Sequence, residues 1–259
     1  MTIETTIIRD LADSFPAGSL VTDAAERAFY AQDVHRLGPD PAGVFRPASI
    51  DELAAGLAAA KALGLAIVPR GGGMSYTGGY VADAPGALIV DLGRMNRVLT
   101  IDETDMVVTV EAGISWAALY DALKPLGLRT PMWGTLSGLK ASVGGGMSQN
   151  GLFWGSGNGT IASCALSFDL VLADGTILKT GSGFVRPFGP DITGLFTSDA
   201  GAFGIKAHVT LPLVREAEAF AYGSFAFDTP EQAFAAMSEV ARAGLASECF
   251  GFDPFVQGQ

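Results

Sequence analysis

A glycine-rich stretch at residues 67–79, Ile-Val-Pro-Arg-Gly-Gly-Gly-Met-Ser-Tyr-Thr-Gly-Gly, constrains the fold more than any other feature of the chain. Its three consecutive glycines follow an apolar run typical of a strand, at a place where the backbone turns sharply or approaches a ligand. Successive N–H groups in such a turn can point the same way and bind a phosphate or pyrophosphate. Arg70, Ser75 and Thr77 offer further donors, although Arg70 equally well braces the loop. The alternative is an ordinary tight turn between two elements.

Glycine is abundant in the rest of the chain as well. It accounts for 34 of the 259 residues, well above the usual share of about 7%. The glycines cluster at 71–79, 144–146, 151–159, 181–189 and 201–204, between segments that have the patterns of regular structure. Repeated clusters of this kind indicate a protein whose backbone contacts a large ligand at several points.

The charge balance limits the partners of the chain. Its formal net charge is −11 and its pI is about 4.5, whereas a nucleic-acid surface needs clustered Lys and Arg. Backbone amides can still bind a phosphate-bearing cofactor locally. No apolar run is long enough to span a bilayer, and the first residues lack the basic start and apolar core of a signal peptide. We therefore expect a cytoplasmic protein with a small-molecule substrate, no nucleic-acid partner and no membrane span.

Cysteine and histidine usage gives no sign of a metal site. His35 and His208 are the only histidines, and Cys164 and Cys249 lie far apart without metal-ligand spacing. Both cysteines are predicted to be buried thiols.

Local patterns predict an α+β fold with two lobes. The predicted units are an N-terminal helical segment (1–39, with helical spacing at 7–33), a central domain (40–215, with lobes at about 40–97 and 98–215) and a last segment (216–259).

In the first lobe, Ser49 and Glu52 form a capping box at the start of a helix that Gly64 ends. Strands at 65–69 and 87–92 complete a βαβ-like unit.

The second lobe carries the strongest turn signal. Asp174-Gly175 is a typical hairpin turn between the predicted strands 167–173 and 176–180. A second hairpin is predicted at 98–111, followed by a helix with Ser115 as its N-cap. Residues 203–211 are predicted to form one more strand.

In the last segment, 219–228 resembles a strand and a helix begins at Pro230. Because one strand and one helix cannot bury their own apolar faces, this segment is predicted to be the beginning of an incomplete further domain.

Several motifs, taken in order, resemble the FAD-binding domain of the vanillyl-alcohol oxidase / p-cresol methylhydroxylase (PCMH-type) family, and within it the glycolate and D-lactate dehydrogenase-like FAD-linked oxidases. The resemblance covers roughly residues 40–215. The motifs are Pro69–Ser75 with Thr77–Gly79, Val90–Val98, Val110–Gly113, Ser142–Gly145, Val171–Gly175, and Asp191–Phe196 leading to Gly201–Ile205. A Gly-x-Gly-x-x-Gly sequence between a strand and a helix is absent, so NAD is not predicted.

The resemblance implies where FAD binds. The backbone from Gly71 to Ser75 holds the pyrophosphate, segments 131–137 and 142–148 surround the ribityl chain and flavin, and Gly204-Ile205 lies against the adenine. The residues that it assigns to the cofactor are Arg70, Gly71, Gly72, Gly73, Met74, Ser75, Pro131, Thr135, Ser137, Ser142, Gly144, Gly145, Ser148, Gly204 and Ile205.

The chain departs from the family pattern at two positions. Relatives that link the flavin covalently through this loop have a histidine where Met74 stands, and a thioether cannot form that bond, so the resemblance implies non-covalent FAD. Cys164 is a remote candidate for a thioether link. Gly146 takes the third place of a Gly-Gly-Asn pattern, and Gln149 or Asn150 is expected to replace the lost side-chain hydrogen bond.

No catalytic residue is identified. Candidates that face the substrate are Tyr76, Trp133, Gln149, Asn150 and Trp154. Each of these has an alternative role in packing or in anchoring a loop. His208 lies in a strand-like run, where a buried, hydrogen-bonded histidine is the simpler interpretation.

The function that the resemblance implies is FAD-dependent oxidation of an alcohol or 2-hydroxy acid, with hydride passing to flavin. The resemblance also implies that most of the cap domain, which usually supplies substrate contacts, is missing. We therefore expect either a truncated product or a split gene whose partner chain contributes the cap. The alternative within the fold is the FAD-binding electron-transfer subunit of a multi-subunit dehydrogenase. A flavin reductase of cell-wall precursor synthesis and a degenerate domain without flavin are less favoured by the motifs.

Overall fold

A computed structural model describes residues 14–132, 137–151, 155, 158–183 and 190–252. Its strands are β1 (Leu20–Val21), β2 (Gly43–Phe45), β3 (Ile67–Arg70), β4 (Leu88–Asp91), β5 (Val98–Asp102), β6 (Val107–Glu111), β7 (Leu128–Arg129), β8 (Ser167–Val171), β9 (Ile177–Gly181), β10 (Ile205–Pro212) and β11 (Val214–Arg215). Its helices are α1 (Ala24–Tyr30), α2 (Ile50–Ala62), α3 (Trp116–Leu123), α4 (Val143–Gln149), α5 (Ile192–Leu195) and α6 (Pro230–Ala243).

The strands form two main sheets. The first has the order β1-β2-β4-β3, and β2 and β3 run parallel to β4, as a βαβ connection requires. The second has the order β5-β6-β10-β8-β9 and is antiparallel throughout. The predicted α+β class is confirmed. Short strands β7 and β11 pair separately.

The predicted helix starts and turns agree with the structure. Ser49 Oγ accepts a hydrogen bond from the Glu52 N–H at 3.1 Å, and the Glu52 carboxylate accepts one from the Ala48 N–H at 2.8 Å. Ser115 caps α3, since its Oγ accepts a hydrogen bond from the Ala118 N–H at 3.2 Å. Both predicted hairpins form, and Gly175 turns with a φ of +85°, a conformation that suits glycine.

One apolar core joins the two sheets. Phe45, Leu57 and Phe168 belong to the same buried cluster although they come from β2, α2 and β8. The β8–β9 turn lies against α2, since a Cβ added at Gly175 would be 2.6 Å from the Ala54 carbonyl oxygen. Close packing of α2, β2, β8 and the β8–β9 turn therefore fixes one border of the space between the lobes.

Three predictions were wrong. Of the helical prediction over 7–33, residues 7–13 lie outside the described residues and α1 covers 24–30, whereas residues 20–21 form β1, because Leu20 and Val21 pair with β2. Residues 219–228 form no strand, since no neighbouring strand pairs with them in the described part of the chain. Cys249 is exposed and Cys164 is half-buried, so neither is a fully buried thiol.

The last segment packs little of its apolar surface. No residue of α6 is buried. Its large exposed side chains are Phe220, Tyr222, Phe225, Phe227, Phe234, Leu245, Phe250 and Phe252. None of the helices among the described residues is both long enough and apolar enough to cross a membrane.

Candidate cofactor-binding site

A cleft of about 540 Å³ lies between the two lobes, within the usual size range of small-molecule sites. Its first wall, residues 69–80, is the glycine-rich loop that follows β3. Its second wall consists of residues 137–151, which include α4, and residues 198–206, which lead into β10. The topology thus places the two strongest glycine clusters of the sequence opposite each other.

The first wall is held by side chains that the motifs do not include. The hydroxyl of the buried Tyr80 donates to the carbonyl oxygens of Gly73 (2.7 Å) and Ser75 (3.1 Å). The Gly78 N–H donates to Asp33 Oδ2 at 2.8 Å. The other oxygen of Asp33 accepts the N–H groups of its own turn, and the Arg36 N–H bond is the main reason why the pKa of this carboxyl lies below its usual value.

Arg70 braces this loop. Its guanidinium carbon lies 4.5 Å from the centroid of the Tyr80 ring and 5.1 Å from that of Tyr30, within the range of cation–π contact. One guanidinium nitrogen donates to the Gln32 carbonyl oxygen at 3.2 Å. Of the two roles that the sequence left open for Arg70, these contacts favour the brace.

The loop glycines are required by the packing of the two walls. A Cβ added at Gly71 would overlap Ser142 Oγ, and one added at Gly72 would overlap the carbonyl oxygen of Lys140. Backbone therefore lies directly against backbone at the floor of the cleft. By contrast, a Cβ at Gly145 would meet only Ser142 Oγ, at 3.0 Å, and would otherwise extend into open space.

Glycine also shapes α4 on the second wall. Ser142 is the N-cap, and its Oγ accepts from the Gly145 N–H at 3.2 Å. A Cβ at Gly144 would lie 2.7 Å from the Ala112 Cβ, and one at Gly146 would lie 3.1 Å from the Trp116 ring. Gly146, which stands where the family pattern has Asn, therefore packs against α3, because the Trp116 indole occupies the space that a side chain would need.

The structure brings most of the predicted cofactor residues together. Those that line the cleft are Arg70, Gly71, Gly72, Gly73, Met74, Ser75, Ser137, Ser142, Gly144, Gly145, Ser148, Gly204 and Ile205. Pro131 is buried and does not line it; its carbonyl oxygen accepts from the Asn158 amide at 3.1 Å. Thr135 lies outside the described residues.

The substrate-facing candidates are divided. Tyr76, with 68% of its surface exposed, and Gln149 both line the cleft. Asn150 does not; it ends α4 in the left-handed conformation. Trp133 and Trp154 lie outside the described residues. His208 is on β10, where its Nδ1 lies 3.1 Å from Asp169 Oδ2, and it does not line the cleft.

Two signals in the sequence point to residues that the motif analysis missed. Tyr80 is an aromatic residue directly after Gly78-Gly79, inside a segment of small and polar residues. Lys206 interrupts the apolar run of β10, and its side chain is only 2% exposed and paired with Asp199. A charged residue within an apolar strand is a sign of a buried ion pair.

The lining of the cleft does not repel an anion. Although the chain carries a net charge of −11, no Asp or Glu is found among the described residues that line the cleft, whereas Arg70 and Lys206 are. The cleft can therefore accept a phosphate-bearing ligand without desolvating a lining carboxylate beside it.

The family model described as "FAD binding domain" matches residues 41–181, more than half of the chain. The chain belongs to this family of FAD-binding domains, and the predicted family resemblance and cofactor are confirmed. The glycine backbone, the volume and the acid-free lining of the cleft fit such a dinucleotide.

Curated relatives of the chain are named as dehydrogenases and oxidases. It is 30% identical to a D-2-hydroxyglutarate dehydrogenase of Xanthomonas citri pv. viticola, over 95% of this chain and 52% of that protein. It is 31% identical to the glycolate oxidase subunit GlcD of Bacillus subtilis, over 69% of this chain and 38% of that protein. The chain spans about half the length, or less, of the curated relatives it matches.

Solved structures show the same fold at low identity. An alkyldihydroxyacetonephosphate synthase superposes with a TM-score of 0.82 at 21% identity, over 94% of this chain and 47% of that chain. A p-cresol methylhydroxylase with substrate bound superposes with a TM-score of 0.71 at 18% identity, over 85% of this chain and 45% of that chain.

Proposed function

We propose that this chain binds FAD non-covalently in the cleft and supplies the FAD-binding part of an oxidoreductase that acts on an alcohol or 2-hydroxy acid. The observation that carries the proposal is the acid-free cleft, lined by the backbone of two glycine clusters, in a strongly acidic protein. The 2-hydroxy acid class is supported by the names of the relatives, a D-2-hydroxyglutarate dehydrogenase and a glycolate oxidase subunit.

The chain's own residues have binding and orienting roles in this proposal. The backbone of Gly71–Ser75 binds the pyrophosphate, with Tyr80 and Asp33 fixing the loop. The second wall, including Gly145 and Ile205, encloses the rest of the dinucleotide. When bound, the flavin supplies the redox chemistry by accepting hydride from a substrate carbon. Tyr76 and Gln149 remain candidates for contact with substrate because both line the cleft.

Non-covalent attachment is supported by Met74, which lines the cleft with a side chain that cannot form the histidyl link. The test is an absorbance spectrum of the purified chain, before and after acid precipitation. We expect a flavin spectrum whose colour moves entirely to the supernatant. Colour retained in the pellet would contradict non-covalent binding, and a chain that stays colourless with added FAD would contradict the site.

The substrate class is tested by anaerobic reduction of the FAD-loaded chain. Glycolate, D-lactate and D-2-hydroxyglutarate are each added, with a primary alcohol as the comparison and dithionite as the control for a reducible flavin. Loss of the yellow absorbance with a hydroxy acid supports the proposal. Reduction by dithionite but by none of these substrates contradicts turnover by this chain alone.

A second candidate, an FAD-binding subunit that works with a partner chain, is favoured by the last segment. Its row of exposed aromatic side chains, including Tyr222 and Phe225, is unusual for a surface that stays in water. Under this candidate, a partner chain covers these side chains. Substrate then reduces the flavin only after that partner is added. A cytoplasmic location stays a prediction, and three relatives are named as mitochondrial.

A further inference from the structure

We propose that the buried ion pair between Lys206 and Asp199, here called the clip, holds the turn 198–201 against helix α4 and so positions the second wall of the cleft for FAD. This inference rests on the FAD site proposed above. Lys206 and Asp199 are positioning residues in it, since they act through the backbone of the turn.

The clip joins strand β10 to the turn through a single oxygen atom. Lys206 Nζ lies 2.6 Å from Asp199 Oδ1, and the same oxygen accepts the Gly201 N–H at 3.0 Å. The two side chains are only 2% and 1% exposed. Asp199 Oδ2 has no hydrogen-bond partner within the described part of the chain. The turn is therefore tied to β10 by one charged contact that water does not reach.

The turn has a backbone conformation that needs outside support. Ser198, Ala200 and Gly201 have φ values of +58°, +51° and +80°, in the left-handed region that L side chains rarely adopt. In this conformation the Ser198 and Ala200 N–H groups donate to the carbonyl oxygens of Met147 and Ser148, each at 3.0 Å. Strained residues of this kind persist only where their surroundings fix them, and they concentrate at ligand sites.

The turn also reaches the opposite wall. Ala200, Gly201 and Lys206 line the cleft. A Cβ added at Gly201 would lie 2.6 Å from Pro69 Cγ, at the start of the glycine-rich loop. A displacement of the turn would therefore change the width of the cleft.

The charge of the clip supports a role in geometry. Desolvation lowers the pKa of Lys206, and the bond to Asp199 opposes that effect. A buried ion pair is a weak source of stability because each charge loses its hydration. The ion pair instead fixes one position of the turn relative to β10, since a displaced turn would leave both charges buried and unpaired.

The test compares Lys206→Met with Val209→Ala. Val209 is on the same strand and fully buried, but it does not line the cleft. Hydrogen exchange at the Ser198 and Ala200 amides is measured without FAD, and FAD is then titrated into each chain. We expect Lys206→Met to speed exchange at both amides and to raise the FAD dissociation constant, each by about tenfold or more, because a buried partner is lost. The visible circular dichroism of bound flavin should change as well. Val209→Ala should lower stability and leave all three properties as in the parent.

Exchange as slow as in the parent at both amides would overturn the clip. Faster exchange with unchanged FAD affinity and dichroism would overturn its role toward FAD, as would an equal loss of affinity in Val209→Ala. If the parent chain does not bind FAD, the site and the positioning role are overturned together, while exchange still decides whether the clip holds the turn. Should Lys206→Met fail to fold, it is replaced by Lys206→Met with Asp199→Asn, which leaves no unpaired charge buried. Because the charged contact between β10 and the turn is absent in this chain as well, faster exchange and weaker FAD binding are again expected.

Discussion

The two walls of the cleft are fixed by different kinds of interaction. The first wall is a loop held by three side chains: the Tyr80 hydroxyl, the Asp33 carboxylate and the stacked Arg70 guanidinium. The second wall is held from within, by α4 packed on Ala112 and Trp116 and by the buried clip. The difference shows that a glycine-rich loop can be ordered by a few side chains. The second wall, which leads into β10, is ordered by packing against the buried core.

The largest expected effect comes from the place where the walls meet. Gly72→Ala places a Cβ where it overlaps the Lys140 carbonyl oxygen. Both contacting segments are backbone, so neither can move away without a large cost in free energy. Overpacking of this kind typically costs about 1–3 kcal/mol, and we expect the upper end of that range in urea unfolding, with FAD binding lost.

Gly183→Ala is the matched control for this substitution, since a Cβ there meets nothing within 4 Å and the residue is not in the left-handed region. Equal stability of the two variants would show that the walls do not depend on this contact.

An intermediate effect is expected at the first wall. Tyr80→Phe removes the hydroxyl that holds the Gly73 and Ser75 carbonyls. Net hydrogen-bond contributions of about 0.5–1.5 kcal/mol each predict a weakening of FAD binding by about tenfold, measured by titration. Tyr222→Phe, at a tyrosine that is 90% exposed, should change nothing. Unchanged affinity in Tyr80→Phe would mean that the first wall is held by Arg70 and Asp33 alone.

The smallest effect is a dependence on pH. Because the folded pKa of Asp33 is depressed below 3.8, its contribution is fully present above that value and is lost as the pH falls through the folded pKa. Hydrogen exchange at the Gly78 amide, corrected for the intrinsic effect of pH, should therefore quicken only at pH below about 4. Asp33→Asn should remove this dependence. The same pH dependence in Asp33→Asn would assign the effect to another group.

The sequence predicts the parts of this molecule that depend on near neighbours. The capping box at Ser49 and the Asp174-Gly175 turn each use residues within four positions of each other, so their chemistry is visible in the sequence. The glycine clusters are visible too, but their partners are not. That Gly72 lies against Lys140, and Gly146 against Trp116, follows only from the arrangement of the lobes.

The predictions that failed lacked this long-range information. Residues 219–228 have an apolar content typical of a strand, but a strand forms only where another strand pairs with it. The motif analysis assigns no role to Lys206, because its neighbours in the sequence predict a strand. Its partner Asp199 comes close only through the turn that lies between the two residues.

The β8–β9 turn also limits how the cleft can change shape. With Gly175 against the Ala54 carbonyl and the Ala58 methyl group, the turn occupies a notch in α2 that no larger residue fits. Sliding of one lobe along the other would have to lift the turn out of that notch. The packing of this turn therefore opposes shear between the two sheets.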